Sequence, residues 1–378
     1  MPESIPLLTL EGTPYEIGLA HGRALKDPIG EFVATVAAVH QANNAYLRTG
    51  RDALTAFCMR NLGFLEAFSD ELMQEMRGIA DGAGVTLEAI LFLNTFLELE
   101  DLRAPNLGGT ILPDALWGCT TFNVTGGASA DGRATIGQTF DMEAYYRKFL
   151  VLLQIKPLQG PSMFVVSLAG VLGLVGLNSA GVAGVINKIV ASDARPGVIF
   201  PFVMRKALAA ERIGDALGTV IFSPRASGMN YQLAGEGMAF CAETSASRYH
   251  LLAVEDALAH TNHFLAEGMR RFETANWLSH GGSMVRKQVA DRFLARHSGD
   301  LTPDRLKALT RDHTNHPRCI CAHGFPGEDE KTAFHTIFAV IMDPVGGQLE
   351  ICAGNPCLNA YQAYRLPPMR DAEKALEQ

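Results

Sequence analysis

The chain has 378 residues, 48% of them apolar and 19% charged, enough to bury a sizeable core as one large domain or two and too apolar for a disordered tail. Forty acidic against thirty-two basic residues leave a net charge of −8, so there is no basic footprint for phosphate backbones and nucleic acid is not an expected partner. The amino terminus has no cationic stretch ahead of an apolar run, so no secretory signal is expected and a cytoplasmic address is the default.

Taken in chain order, the first hundred residues read as helical. Leu62, Leu65, Phe68, Leu72, Met76 and Ile79 recur at spacings of three and four and give one apolar face, which Asp81-Gly82 is expected to end. Thr86 is placed to cap a second helix running through Ala89, Ile90, Leu93 and Phe96. Asp101 to Trp117, with Pro105, Gly108, Gly109 and Pro113, reads as a long loop of the kind a compact domain keeps for function.

The texture then changes to strands, so a sheet is expected to begin at Cys119. Cys119 to Val124 is β-branched and aromatic, Asp131-Gly132 signals a hairpin turn, and Ala134 to Phe140 and Phe149 to Ile155 continue the pattern. Pro157 to Asn187 carries no charge and is long enough to cross a bilayer, but its six glycines and the Asn178-Ser179-Ala180-Gly181 step read better as buried strands joined by a turn, and no membrane partner is expected. Helices are expected around 200 to 218, from Glu267 to Arg296, and after Thr302-Pro303-Asp304. Strands return in Ala333 to Met342 and Gln348 to Cys352. This order suggests a layered α+β sandwich. There is no internal repeat.

The seven cysteines, Cys58, Cys119, Cys241, Cys319, Cys321, Cys352 and Cys357, are odd in number and scattered, which reads as reduced thiols. Cys119 stands out because it follows Gly118 at the junction of the long loop and the first strand. Glycine permits unusual backbone angles and unhindered approach to its own carbonyl. A Cys119 thiolate could take the Gly118 acyl group from nitrogen, and hydrolysis of the thioester would free an α-amine on Cys119. With a reference pKa of about 7.7 to 8, that amine can act as general base for its own thiol. On the residues alone, a buried inert cysteine is the competing reading.

A series of motifs moves that balance: Tyr15-Glu16-Ile17-Gly18 with His21-Gly22, Gly118-Cys119-Thr120-Thr121, Gly137-Gln138-Thr139-Phe140-Asp141, Gly176 to Gly181, His260-Thr261-Asn262-His263-Phe264, and Gly354-Asn355-Pro356-Cys357. Together, over nearly the whole chain, they resemble the self-processing acyltransferases and hydrolases typified by isopenicillin N acyltransferase, within the N-terminal nucleophile hydrolase superfamily. The resemblance implies a four-layer αββα sandwich and autocleavage between Gly118 and Cys119. The pieces, residues 1–118 and 119–378, would stay together as one domain, with an oligomer left open. It further implies Cys119 as nucleophile, Asp141 as the carboxylate that orients its α-amine, and Asn262, with Asn178 assisting, as oxyanion donors. An aspartate beside an ammonium raises the amine's pKa, so Asp141's value would be positional.

Thr121, Gln138, Arg318 and His323 are the expected substrate contacts. Gln138 departs from the superfamily, since the related bile-salt and penicillin V hydrolases have an arginine at the matching place. Arg318 is the nearest arginine to the distal Cys-His segment. The implied substrate is a small amide or acyl compound, with acyl-CoA as an alternative acyl donor and no cofactor, because neither a dinucleotide fingerprint nor a Walker loop is present.

A rival reading rests on His313, His316, Cys319, Cys321 and His323, five potential metal ligands in eleven residues, which would make the chain a non-enzymatic metal-binding protein. Cys319 and Cys321 are separated by one residue, tighter than the roughly two to four of structural zinc sites, and no second pair is evident because Cys352 and Cys357 bracket a turn. The expectation is no metal, with Cys321 or His323 near the nucleophile or simply buried.

Overall fold

The first described element is a strand rather than a helix in the computed structural model, which describes residues 5–43, 51–102, 118–274, 277–329, 332–367 and 369. Strand β1 (Leu7–Gly12) precedes α1 (Pro14–Ala24), α2 (Lys26–Asn43), α3 (Arg51–Met59), α4 (Leu62–Phe68), α5 (Asp70–Ala83) and α6 (Leu87–Asn94). The apolar stripe from Leu62 to Ile79 is thus shared by two helices. Ser69 splits them because its hydroxyl accepts from the Leu72 N–H and caps α5. That helix runs past Asp81-Gly82 and stops at Gly84, whose φ of 70° suits the left-handed cap that glycine adopts without strain. Thr86 caps α6 as its position suggests, accepting from the Ala89 N–H.

Helices α1 and α5 touch through their backbones. A Cβ on Gly18 would lie 2.0 Å from the Glu75 carbonyl oxygen, and one on Gly78 would lie 2.3 Å from that of Tyr15. The Tyr15-to-Gly22 motif therefore serves packing. His21 in it is fully buried and accepts the Gly170 N–H at 3.1 Å, and burial, aided by the Arg205 charge, drives its pKa down to about 3.

The strands follow as β2 (Thr120–Val124), β3 (Thr135–Glu143), β4 (Leu150–Pro157), β5 (Met163–Leu168), β6 (Val175–Asn178) and β7 (Ala183–Lys188). After α7 (Phe200–Leu208) and α8 (Ile213–Phe222) come β8 (Met229–Gly235), β9 (Met238–Thr244), β10 (Tyr249–Leu252) and β11 (Ala257–His260). Then α9 (Glu267–Arg270), α10 (Trp277–Arg296) and α11 (Pro303–Thr310) lead to β12 (Phe334–Asp343), β13 (Gln348–Ala353) and β14 (Gln362–Arg365). The two longer helical patterns expected at 200 to 218 and 267 to 296 are each divided in two.

The strands form an eight-stranded sheet in the order β1-β4-β5-β6-β7-β8-β9-β10 and a six-stranded sheet in the order β11-β2-β3-β12-β13-β14. The first sheet takes its edge from β1, which pairs parallel with β4, so sheet formation does not wait for Cys119. Strands β2 and β3 face β7 and β8 across the interior; α1, α7 and α8 cover the outer side of the larger sheet, and α10 and α11 that of the smaller. This is the four-layer αββα sandwich, and it explains the uncharged span. Strands β5, β6 and β7 are buried on both faces, between helices and the second sheet, so alternation with polar residues is lost. No helix among the described residues is long and apolar enough to cross a membrane.

Asp101 sits in a 3-10 turn (Glu98–Leu102) and is tied to the larger sheet by a buried pair with Lys188 at 2.9 Å, to which Ser227 also bonds. The rest of the expected loop, residues 103–117, lies outside the described residues.

Candidate active site

The start of β2 lies where the two sheets approach each other. Thr120 pairs with Thr139 and Thr121 with Gln138, so continuing the antiparallel register sets Cys119 opposite Phe140 and Gly118 opposite Asp141. A Cβ on Gly118 would fall 2.7 Å from Asp141 Oδ2 and 3.1 Å from the Phe334 ring. Only glycine lets the carboxylate lie directly against the main chain here. Asp141 Oδ1 accepts the Thr336 hydroxyl at 2.7 Å from the neighbouring β12, whereas its Oδ2 has no hydrogen-bond partner among the described residues. Burial pushes the Asp141 carboxyl up to about 7, against the pull of Arg286 and Thr336.

Cys119 is itself buried. Burial pushes its thiol up to about 12 and the Asp141 charge adds to that, while the Asp141 backbone N–H, Arg286 and Gln138 act the other way. The resting group is a protonated thiol, and any chemistry at sulfur needs a base within the pocket.

Sequence reasoning missed the cation of this site. Arg286, on α10, is fully enclosed and its Nη1 donates to the Gly118 carbonyl at 2.6 Å, the Cys119 carbonyl at 2.7 Å and the Thr120 hydroxyl at 3.2 Å. Its Nη2 donates to Asn262 Oδ1 at 3.1 Å. A signal was present: Arg286 shares the buried face of α10 with Ser283, Ala290 and Leu294, and a charge on such a stripe is rarely tolerated without a partner. Arg318, the expected arginine, instead lays its guanidinium over the Phe325 ring, 4.8 Å from the centroid.

Asn262 is brought to Cys119 through Arg286, and its Nδ2 donates to the Lys188 carbonyl at 3.0 Å. The flanking histidines frame it. His260 Nε2 meets Glu243 Oε1 at 2.8 Å, and His263 Nδ1 meets the Ser283 hydroxyl at 2.8 Å while that hydroxyl accepts the Asn262 N–H.

Asn178 is not part of this assembly. Its Nδ2 donates to the carbonyls of Leu208 and Ala210, and its Oδ1 accepts the Val182 N–H, so its polar capacity goes to the β6–β7 turn and the end of α7. The asparagine beside Cys119 is Asn187, at the other end of β7 and roughly 15 Å along the strand. Asn187 Nδ2 donates to the Cys119 carbonyl at 3.2 Å, and its Oδ1 accepts from the Thr121 hydroxyl at 2.6 Å and from Asn230 at 2.9 Å. Thr121 thus positions Asn187.

Gln138 crosses between the sheets, donating to the Ile186 carbonyl at 2.7 Å and accepting its N–H at 3.1 Å. That double bond accounts for a neutral amide: an arginine could donate to Ile186 but not accept from it. His323 is placed among His313, Cys321 and Cys357 rather than in hydrogen-bond contact with Cys119.

Three comparisons bear on this arrangement. Residues 129–357 match the family described as acyl-coenzyme A:6-aminopenicillanic acid acyl-transferase. The chain is 25% identical over 364 residues to the 40 kDa form of acyl-coenzyme A:6-aminopenicillanic-acid-acyltransferase from Emericella nidulans, covering 92% of each chain. Among solved structures it is similar to a mutant conjugated bile acid hydrolase from Clostridium perfringens, with TM-score 0.43 and 8% identity, over 66% of this chain and 97% of that one. It is also similar to penicillin V acylase from Agrobacterium tumefaciens, with TM-score 0.42 and 13% identity, over 62% and 82%.

Proposed function

The chain belongs to the acyl-coenzyme A:6-aminopenicillanic acid acyl-transferase family, a family of acyl-transferring enzymes, and from that premise we propose that it is a self-activating cysteine enzyme whose nucleophile is Cys119. The observation that carries this reading is the Asp141 carboxylate oxygen lying against Gly118 without a hydrogen-bond partner among the described residues. A buried, unsatisfied carboxylate oxygen is costly in the uncut chain. Cleavage between Gly118 and Cys119 would supply its missing partner, the new α-ammonium.

In the first step the Cys119 thiol gives its proton to Asp141, whose raised pKa suits a base near neutrality. Sulfur attacks the Gly118 carbonyl carbon. The C–N bond breaks, the departing nitrogen takes the proton, and Gly118 is left as a thioester on sulfur. Arg286 Nη1 already holds the Gly118 oxygen at 2.6 Å, so charge developing there is met by a donor that need not move. Water then hydrolyses the thioester, releasing the Gly118 carboxylate and a Cys119 that carries both thiol and amine.

Turnover repeats this geometry with a foreign acyl group. Gly118 is the site's first substrate, so the donors around its carbonyl mark where a substrate's oxyanion would sit. Arg286 is one, and Asn262 is held beside it by its Oδ1. The α-amine of Cys119 takes the thiol proton, sulfur attacks an amide or thioester carbonyl, and the leaving amine or thiol departs with that proton. The acyl-enzyme then passes its acyl group to water or to an amine. Small amides and acyl-CoA thioesters are the donors to compare, the latter favoured by the family's description.

Denaturing mass analysis of the purified protein tests the premise. Two fragments meeting at Gly118 and Cys119 are expected, with hydrolysis or transfer by the cut form. An intact chain that still turns over these donors would overturn it.

A further inference from the structure

We propose that His313, Cys321, His323 and Cys357 form a binding site for one zinc ion. The four come from two segments, the connection between α11 and β12 and the turn after β13. His313 follows the end of α11, Cys321 and His323 lie in the connection to β12, and Cys357 follows β13. One side-chain ligand atom from each lies within 4.8 Å of every other.

Three edges of that group, all from His323 Nε2, fit a coordination tetrahedron, and the other three lie within 4.8 Å. With Zn–N of about 2.0–2.1 Å and Zn–S of about 2.3 Å, tetrahedral angles give edges of about 3.3–3.4 Å between two nitrogens and about 3.5–3.6 Å between sulfur and nitrogen. His313 Nε2 and His323 Nε2 are 3.2 Å apart, and His323 Nε2 lies 3.6 Å from Cys321 Sγ and 3.5 Å from Cys357 Sγ. Two thiolates and two imidazoles in a closed set of four select zinc over harder cations such as magnesium or calcium. Cys319, the neighbour that made the sequence spacing look too tight, turns its sulfur to the Cys321 carbonyl at 2.8 Å and is not in the set.

The surroundings are those of a supported ligand shell. Asn355 Nδ2 donates to the Ala322 carbonyl at 2.6 Å and reaches Cys321 Sγ at 3.6 Å, fixing the loop that carries two of the ligands. Ala322, between those ligands, donates its N–H to the Thr336 hydroxyl at 2.9 Å, and that hydroxyl donates to Asp141. A zinc ion here would pin the loop that orients Thr336, and through it Asp141, without touching substrate. Metal binding does not depend on Cys119 being the nucleophile.

Elemental analysis of the full chain tests the proposal directly. One zinc per chain is expected, retained in Cys119→Ala, Cys319→Ser and Cys352→Ser and lost in Cys321→Ser and Cys357→Ser. His313→Gln, at an exposed ligand, should weaken zinc affinity at least tenfold while the protein stays folded. Replacement by cobalt(II) should give the intense visible bands and thiolate charge-transfer absorption of a tetrahedral sulfur site. A chain that takes up neither ion when supplied with zinc or cobalt alone overturns the proposal. So does a Cys321–Cys357 disulfide in the mature protein, or loss of the metal from Cys319→Ser as complete as that from Cys321→Ser. In the supporting case, chelator-stripped protein should process itself more slowly and recover on adding zinc.

Discussion

Cys119 and Cys321 are both buried thiols, and burial pushes both upward in pKa, Cys119 to about 12. Their surroundings differ. Among the described residues Cys119 meets the Asp141 carboxylate, one oxygen of which has no hydrogen-bond partner there, while an arginine grips the carbonyl immediately before it. Cys321 meets two imidazoles and a second thiol. Desolvation alone therefore does not separate a nucleophile from a ligand. A nucleophile needs one base and an electrophile held in place, whereas a ligand needs companions at the edges of a coordination polyhedron.

That contrast can be broken most directly by removing each sulfur. Cys119→Ala should leave one uncut chain and depress turnover by roughly 10⁴-fold or more, read by mass analysis and assay, with metal content unchanged. If Cys119→Ala were still cut and active, the contrast would collapse. The next largest effect belongs to Arg286. Arg286→Gln should slow self-cleavage by about 10²- to 10³-fold in a time course after refolding, because a preorganised donor to the scissile oxygen is lost. Arg286→Lys should fall between, since a point charge cannot hold the Gly118 and Cys119 carbonyls and Asn262 at once.

Asp141 gives the contrast a pH signature. With its pKa raised to about 7 in the uncut chain, the ionised base is scarce in acid, so the self-cleavage rate should climb between about pH 5 and pH 8. Asp141→Asn should abolish that limb. The stability effect runs the opposite way. A carboxyl raised from 3.8 to about 7 by folding is least costly when protonated, so the uncut Cys119→Ala chain should lose stability as pH rises from about 4 through 7. Denaturant titrations at several pH values should show this slope, and Asp141→Asn should flatten it.

Smaller effects sharpen the map. Gly118→Ala forces a Cβ to 2.7 Å from Asp141 Oδ2 and should slow processing by roughly tenfold, by displacing the base from the bond. Asn178→Ala should cost about 1–3 kcal/mol of stability in thermal or denaturant unfolding, with turnover per folded molecule unchanged. Lost turnover at full stability would instead restore Asn178 to the oxyanion site.

Much of the fold was legible because it is locally encoded. Thr86 and Thr302 announce helix starts through their own hydroxyls, and both cap as written. The glycines and the polar Asn178 step in the uncharged span revealed strands and a turn rather than a membrane helix. Strand β1 was overlooked because its pairing is with β4, some 140 residues away, and a six-residue segment carries little period of its own. The candidate site was half legible. Cys119, Asp141 and Asn262 could be named as candidates because their motifs carry the family resemblance, whereas Arg286 stands in none of them.

The sequence by itself determined the layered α+β class, and its Gly118-Cys119 and Gly137-to-Asp141 motifs carried the resemblance that named Cys119 and Asp141 as candidates. The class is set by local periodicity, and the motifs are short runs readable along the chain. Only the tertiary structure decided which arginine reaches the Gly118 carbonyl, which asparagine stands beside Cys119, and that Cys357 lies in a set with His313, Cys321 and His323. Each of those choices depends on where a helix face or a strand end lands after packing, a distance that no spacing along the chain records.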